Sequence, residues 1–467
     1  MTVCPAAAED LFFEGTRLMG EGDSAGAELR LRDALSLAPD FAEAHANLAL
    51  LLDDGVRGGE AEHHYRQALE CSPRQAQTYL NFGALLAAQR RFAEAEAAYR
   101  QALLLDPQSP GAWSNLGVLL VSTKREADAE RCYRVAIDLA PDYGKARFNL
   151  AYLLLRQGRY EEGWACLEAR DWCAAVESHL QCPRWRGEPL VGKSVLIGIE
   201  AGHGDMIQFC RYAAVLKARG AAKVSVLCHP ALATLFVGHA GVDEVVPVDK
   251  AIPASGWDYW VPPLSLPFLC QTRLDTIPAD LPYLTAEPER VGRWRNEMAC
   301  PEGELRIGLA WKGNPRFEND VDRSLPSLAV LAPLADIPGV RFFSLQKGVG
   351  QEEAQQAQNP LSVVDLGSRI GDFADTAAIM MNLDLVITVD TAVAHLAGAL
   401  ARPCWVLLPD YQTDWRWLAD RVDSPWYPGV MRLFRQRLPG DWTTTIADVK
   451  AGLMAWLAAG GASPARP

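Results

Sequence analysis

Pro39, Pro73, Pro107 and Pro141 follow one another at steps of 34 residues, and no other feature limits this chain's fold as tightly. The same step recurs in Asn47, Asn81, Asn115 and Asn149, in Ala34, Ala68, Ala102 and Ala136, and in Leu35, Leu69, Leu103 and Ile137. Tyr65, Tyr99 and Tyr133 keep it too, and so do the small residues Gly15, Ala49, Gly83, Gly117 and Ala151. The residue types suit a stack of helix–turn–helix units. Gly or Ala lets two helices cross closely, an aromatic fills the gap above, a second Ala lets the next unit dock, and Pro stops the second helix.

This pattern is similar to the tetratricopeptide (TPR) signature. It predicts about five repeats over residues 8–177, forming an all-α superhelix. The fifth keeps Asn149-Leu150-Ala151 but has no closing Pro, and Gly158 and Gly163 replace better helix formers. It is expected to serve as cap and joint. The Asn series lies on the first helix of each repeat. It is either plain repeat consensus or a ladder that holds a peptide backbone, a task an amide suits because it both donates and accepts. The arrangement resembles the eukaryotic protein O-GlcNAc transferases, in which such a ladder holds the protein acceptor. That resemblance implies acceptor binding by Asn47, Asn81, Asn115 and Asn149.

A net charge of −13 argues against nucleic acid or an anionic membrane as partner. The N-terminus has neither a basic segment nor an apolar core of signal-peptide length. The most apolar stretch, 376–400, is interrupted by Asp384 and Asp390, so no membrane span is expected. The 11 cysteines include no Cys-x-x-Cys pair, and none joins histidine at zinc spacing. Reduced thiols, a cytoplasmic location and no cofactor or metal are the expectations.

From about Lys193 short apolar runs alternate with Gly-rich loops and helical stretches, which predicts a parallel sheet covered on both faces. Strands are expected at 194–199, 223–228, 242–248 and 258–261, with one helix from Met206 to Arg219. After a Pro-rich connector a second set is expected at 305–311, 340–345, 362–366, 383–389 and 404–408, with a helix at 392–400. Two such lobes, 178–290 and 291–467, suggest the GT-B plan of two Rossmann-like domains facing a cleft. Ligands of open α/β sheets bind beyond the carboxyl ends of the strands, so those loops are where chemistry is sought.

Three loops stand out. In Gly202-His203-Gly204-Asp205-Met206, Asp205 is either a helix N-cap or a general base for an acceptor hydroxyl, and His203 is a second candidate base. In Asp390-Thr391-Ala392-Val393-Ala394-His395, the free N–H groups of a helix start favour a diphosphate. There Asp390 is expected to cap the helix or bind sugar hydroxyls, leaving Thr391 and the backbone for phosphate. His395 is either packed or functional. In Trp311-Lys312-Gly313-Asn314-Pro315, with Arg323 close behind, Lys312 and Arg323 are candidate cations for a departing diphosphate.

Weaker signals are Gln346 at another strand end, Asp372-Phe373-Ala374-Asp375, and the aromatic-rich Asp414-Trp415-Arg416-Trp417 with Trp426-Tyr427. Those aromatics read as exposed, able to stack on a base or sugar or to lock the C-terminal helix. Asp320-Val321-Asp322 matches a metal motif of single-lobed transferases, but it lies in a polar loop and reads as chance.

The Gly-His-Gly-Asp loop, the Trp-Lys-Gly-Asn-Pro loop and Asp390-Thr391-x-x-x-His395-Leu396-Ala397 together resemble the ADP-heptose heptosyltransferases, glycosyltransferase family 9, over about residues 193–440. The resemblance implies Asp205 as base and Lys312, Asp390 and Thr391 as donor-side residues; Asn314, Arg323, Gln346 and His395 are further donor-side candidates from their places at or near strand ends. A TPR array before such a module resembles bacterial TPR-fused protein glycosyltransferases, including those that modify flagellin. The expectation is therefore metal-independent transfer from a nucleotide-sugar to Ser or Thr of a protein held by the repeats. Transfer to a lipid or saccharide, and a non-catalytic TPR scaffold, are the other readings.

Overall fold

The computed structural model describes residues 5–53, 57–170, 172–298, 300–301, 303–317, 319–356 and 360–460. Two compact units meet in sequence at Leu153 and Leu154. Ten of the 11 cysteines lie among the described residues, all as free thiols.

The repeats form helix pairs. They are α1 (Ala6–Glu21) with α2 (Ser24–Leu37), α3 (Ala42–Leu52) with α4 (Gly58–Cys71), and α5 (Ala76–Ala88) with α6 (Phe92–Leu105). Then come α7 (Pro110–Ser122) with α8 (Glu126–Leu139) and α9 (Gly144–Arg156) with α10 (Tyr160–Leu167). Each of Pro39, Pro73, Pro107 and Pro141 falls two residues beyond the end of a second helix, where a missing N–H costs nothing. Gly83 and Gly117 lie against the rings of Tyr99 and Tyr133. A Cβ at either would come within 2.6 or 2.5 Å of the ring.

Charge repeats at the same period. Arg57 binds Glu28 and Glu60, each at 2.8 Å; Arg91 binds Glu62 and Glu94, each at 2.6 Å; Arg125 binds Glu96 at 2.9 Å and Asp128 at 3.1 Å. Each arginine thus ties one repeat to the one before it. At this exposure solvent screens the pairs, so the series adds register more than stability.

In the second unit, β1 (Ser194–Ile197), β2 (Lys223–Cys228), β3 (Glu244–Pro247) and β4 (Tyr259–Val261) form an all-parallel sheet in the order β3-β2-β1-β4. A second parallel sheet holds β5 (Leu305–Ala310), β6 (Val340–Ser344), β7 (Val363–Asp365), β8 (Leu385–Val389), β9 (Cys404–Leu408) and β10 (Met431–Arg435), in the order β10-β9-β8-β5-β6-β7. The strand order reverses between β1 and β4 in the first sheet and between β5 and β8 in the second. The crevice for a ligand opens at such switch points.

Two expectations about elements need correction. The helix expected over 206–219 is two helices, His203–Phe209 and Tyr212–Ala218. The break falls where the Arg211 side chain donates from Nε to the Gln208 carbonyl at 2.8 Å, in competition with the helical ladder. β10 was not expected at all. Its sequence Met-Arg-Leu-Phe-Arg mixes charge with apolar residues, and only pairing with β9 defines it.

Candidate active site

The β1 loop ends with Ala201 at φ 58°, a left-handed backbone that a non-glycine residue holds only when its surroundings enforce it. The helix His203–Phe209 follows. Asp205 is not its N-cap, as one reading had it; Gly202 is. Asp205 reaches back instead, its Oδ2 accepting from the Gly202 N–H at 2.8 Å. Its Oδ1 accepts from Arg416 Nη2 of the second lobe. The side chain stays 21% exposed. Burial pushes the carboxyl above its ordinary range, with the charges of Asp414 and Glu200 adding, against Arg416 and the Gly202 N–H. His203 packs against His229, with ring centroids 4.6 Å apart, and against Phe373 at 5.2 Å. Burial and the neighbouring His229 bring it down to about 4, so it is neutral at physiological pH.

The loop after β8 faces this one. Thr391, not Asp390, caps the helix Ala392–Ala399, its Oγ1 accepting from the Val393 N–H at 3.3 Å. The expectation of a capping Asp390 therefore fails, because the hydroxyl one residue later already fills that place. Asp390 is buried and held up to about 6, first by burial and then by the charge of Asp414. His395 is packed. It hydrogen-bonds Tyr427 Oη through Nδ1 at 2.9 Å and stacks on Trp417, with burial keeping it far below its ordinary value. Gly204 lies directly against it, since a Cβ there would come 2.8 Å from His395 Cδ2 and 3.4 Å from Ala392 Cα. The two loops touch at that glycine.

The loop after β5 is tied inward. Gln346, expected to contact the donor, is buried with its amide spent inside the chain. Oε1 accepts from the Trp311 and Lys312 N–H groups at 2.9 and 3.0 Å, and Nε2 donates to the Lys312 and Val349 carbonyls at 3.1 and 2.9 Å. It shapes the loop. Lys312 Nζ binds Glu353 at 2.6 Å, so it is a paired cation and not a bare one. Arg323 binds Asp320 at 3.1 Å and lies over Phe317 at 4.3 Å. Asn314 is exposed and its Oδ1 accepts from the Arg316 N–H at 3.1 Å. Asp320 accepts from Ser324 Oγ at 3.0 Å as well as from Arg323. The Asp-x-Asp stretch thus lies in the turn of the short helix Asp320–Arg323.

The residues that read as exposed aromatics are core. Trp415, Trp417, Trp426 and Tyr427 are each at most 1% exposed. Arg416 sits among them with its guanidinium 4.3 Å over the Trp415 ring. Sequence reasoning passed over its charge because the flanking tryptophans suggested stacking. It also missed Glu353, for which no local pattern exists, and the buried pair of Arg170 with Glu200 at 2.5 Å behind the β1 loop.

In the repeats all four ladder asparagines are partly buried. Asn47 donates to Thr16 Oγ1 at 3.1 Å and Asn149 to Ser114 Oγ at 3.2 Å, each on the first helix of the preceding repeat. Asn81 accepts from Gln77 at 2.8 Å. Among the described residues no helix is long and apolar enough to cross a membrane.

Comparison with known proteins agrees with both regions. Tetratricopeptide repeat models match residues 14–76, 80–143 and 132–165. The model of glycosyltransferase family 9 (heptosyltransferase) matches residues 332–407, which include the Asp390–His395 loop but neither Asp205 nor Lys312. Protein FlbA of Caulobacter vibrioides (strain ATCC 19089 / CIP 103742 / CB 15) is 30% identical over 322 residues, 63% of this chain and 52% of that protein. The chain thus spans about half the length of this relative. Among solved structures, PilF of Pseudomonas aeruginosa shares 26% identity over 35% of this chain and 76% of its own, with TM-score 0.33. A thermophilic TPR protein of Thermus thermophilus shares 21% identity over 37% and 91%, with TM-score 0.32. The chain is a TPR array followed by an α/β region in which residues 332–407 match the glycosyltransferase family 9 model.

Proposed function

We propose that the chain moves a sugar from a nucleotide-sugar to Ser or Thr hydroxyls of a protein held by the TPR array, in the GT-B manner and without a metal. One observation carries the reading. Asp205, at a switch point of the first sheet, meets Arg416 of the second lobe, and its neighbour Gly204 lies against His395 and Ala392 in the part of that lobe with the family 9 match. In this reading Asp205 takes the proton of the acceptor hydroxyl as its oxygen bonds to the anomeric carbon. The bond from that carbon to the diphosphate oxygen breaks, and the diphosphate leaves with the electron pair. Thr391, the N–H groups of its helix and Arg323 receive the charge, with Lys312 joining if the diphosphate displaces Glu353. A carboxyl held up to about 6, as at Asp390, carries a proton more readily as an anion approaches, which eases its place beside a diphosphate.

The ladder Asn47, Asn81, Asn115 and Asn149 would hold the acceptor backbone, flagellin being one candidate acceptor, in the cytoplasm. The test is nucleoside diphosphate release from a panel of nucleotide-sugars, with the full chain and Asp205→Asn. Release is expected to fall about 10²–10⁴-fold in the variant. A chain that turns over no donor rejects the reading in favour of a non-catalytic scaffold, and a variant as active as an active parent rejects Asp205 as the base. The heptosyltransferase description of the matching family keeps a lipid or saccharide acceptor as second reading. It gains if residues 154–467 alone glycosylate a small acceptor as well as the full chain does.

A further inference from the structure

Arg416 joins the two lobes through Asp205 and Gln208 and is tied to Asp414 of its own segment. Its Nη2 meets Asp205 Oδ1, its Nη1 takes both oxygens of Asp414 at 3.1 and 3.0 Å, and its Nε donates to Gln208 Oε1 at 2.5 Å. The guanidinium is clamped between the Trp415 ring at 4.3 Å and the Phe209 ring at 5.6 Å. The side chain is 7% exposed, whereas its partner Asp205 is 21% exposed and still open to solvent. The arginine is thus a fixed part of the frame, and the carboxylate is the accessible part.

Asp205 is held at both oxygens, one by its own loop and one by Arg416. Besides Arg416, the charges that face it are Asp414 and Glu200, and Arg170 neutralises the latter. Asp414 in turn is bound by Arg416. Without the guanidinium, Asp205 would face Asp414 with no cation beside it. Asp205 would then shift further towards its protonated form, which cannot accept a proton.

We propose that Arg416 is the positioning residue of the proposed base: it orients Asp205 and favours its ionised form, and it makes the base depend on contact between the two lobes. This rests on the glycosyltransferase reading above. The planar fork reaches three partners at once, which an ammonium on a flexible stem cannot do in the same geometry.

The experiment uses the full chain with Arg416→Gln, Arg416→Lys and Asp205→Asn, read in two ways. The pH dependence of the melting temperature, compared with and without Asp205→Asn, isolates the titration of Asp205. The pH profile of kcat/KM for nucleoside diphosphate release reports the acidic limb of the base. In Arg416→Gln both midpoints are expected to rise by about 1 unit or more. In Arg416→Lys the limb stays near its place while kcat falls by roughly tenfold or more and the donor KM holds.

A Gln variant that melts like the parent with both midpoints unmoved overturns the proposal, and so does full replacement by Lys. If the parent turns over no donor, the transferase reading fails. The melting midpoint still decides the pairing in that case.

Discussion

Single residues show how far local chemistry constrains roles. Gly117 is small because the Tyr133 ring occupies the space of a Cβ. Gly117→Ala is therefore expected to destabilise the repeat unit by about 1–3 kcal/mol through overpacking, measured by chemical denaturation of residues 1–153. The identity of that glycine was legible from its period. The role of Gln346 was not. Its place at a strand end suggested ligand contact, but the four hydrogen bonds that occupy its amide come from residues on either side of it in the chain. Asp390 is a similar case. Held up to about 6, it should weaken donor binding as pH rises through that value, because the ionised carboxylate repels the diphosphate. Calorimetric titration of donor from pH 5 to 8 checks this, and Asp390→Asn should flatten the dependence.

At the level of elements, α3 and α4 carry a buried histidine pair. His45 and His64 share an Nδ1···Nδ1 hydrogen bond of 2.8 Å, one ring donating. Burial lowers both, His64 to about 4. The unfolded chain takes up protons near 6.5, whereas both folded rings hold out to lower pH, His64 to about 4. Stability is thus whole above about 6.5 and falls as pH drops towards 4, by up to about 3 kcal/mol for His64 alone. Thermal melts of residues 1–153 between pH 7 and 4 should show that slope, and a His45→Gln/His64→Gln variant should lose most of it. Helices and buried strands were readable because helical spacing and unbroken apolar runs are local signals. β10 and the break at Arg211 were not, since pairing with β9 and a side chain competing for a carbonyl decide them.

For the whole molecule, the second unit begins at Leu154, so α10 belongs with the α/β region. Its Trp164 is 1% exposed, donates to the Thr272 carbonyl at 3.0 Å and packs edge-on against Trp415 at 5.1 Å. Tyr160 of the same helix accepts from Trp426 Nε1 at 3.0 Å. Residues 154–467 are therefore expected to fold, whereas a chain starting after Arg170 loses this packing and should be insoluble or molten, judged by near-ultraviolet circular dichroism. Trp164→Ala in the full chain is expected to cost about 3–5 kcal/mol, read from the melting of the α/β region.

The sequence by itself determined the helix pairs, the parallel sheets and which loops lie at strand ends. Those follow from the 34-residue step, helical spacing and short unbroken apolar runs, in which each residue answers to near neighbours. It also placed Asp205, Thr391 and His395 just beyond strand ends, whereas the contact between those two segments comes from the fold. Only the tertiary structure decided what those side chains do. Arg416 reaches Asp205 across 211 positions, Glu353 takes Lys312 across 41, and α10 packs into a unit other than the one holding the first four repeats. Such pairings rest on burial and charge brought together by the fold, and no pattern along the chain records them.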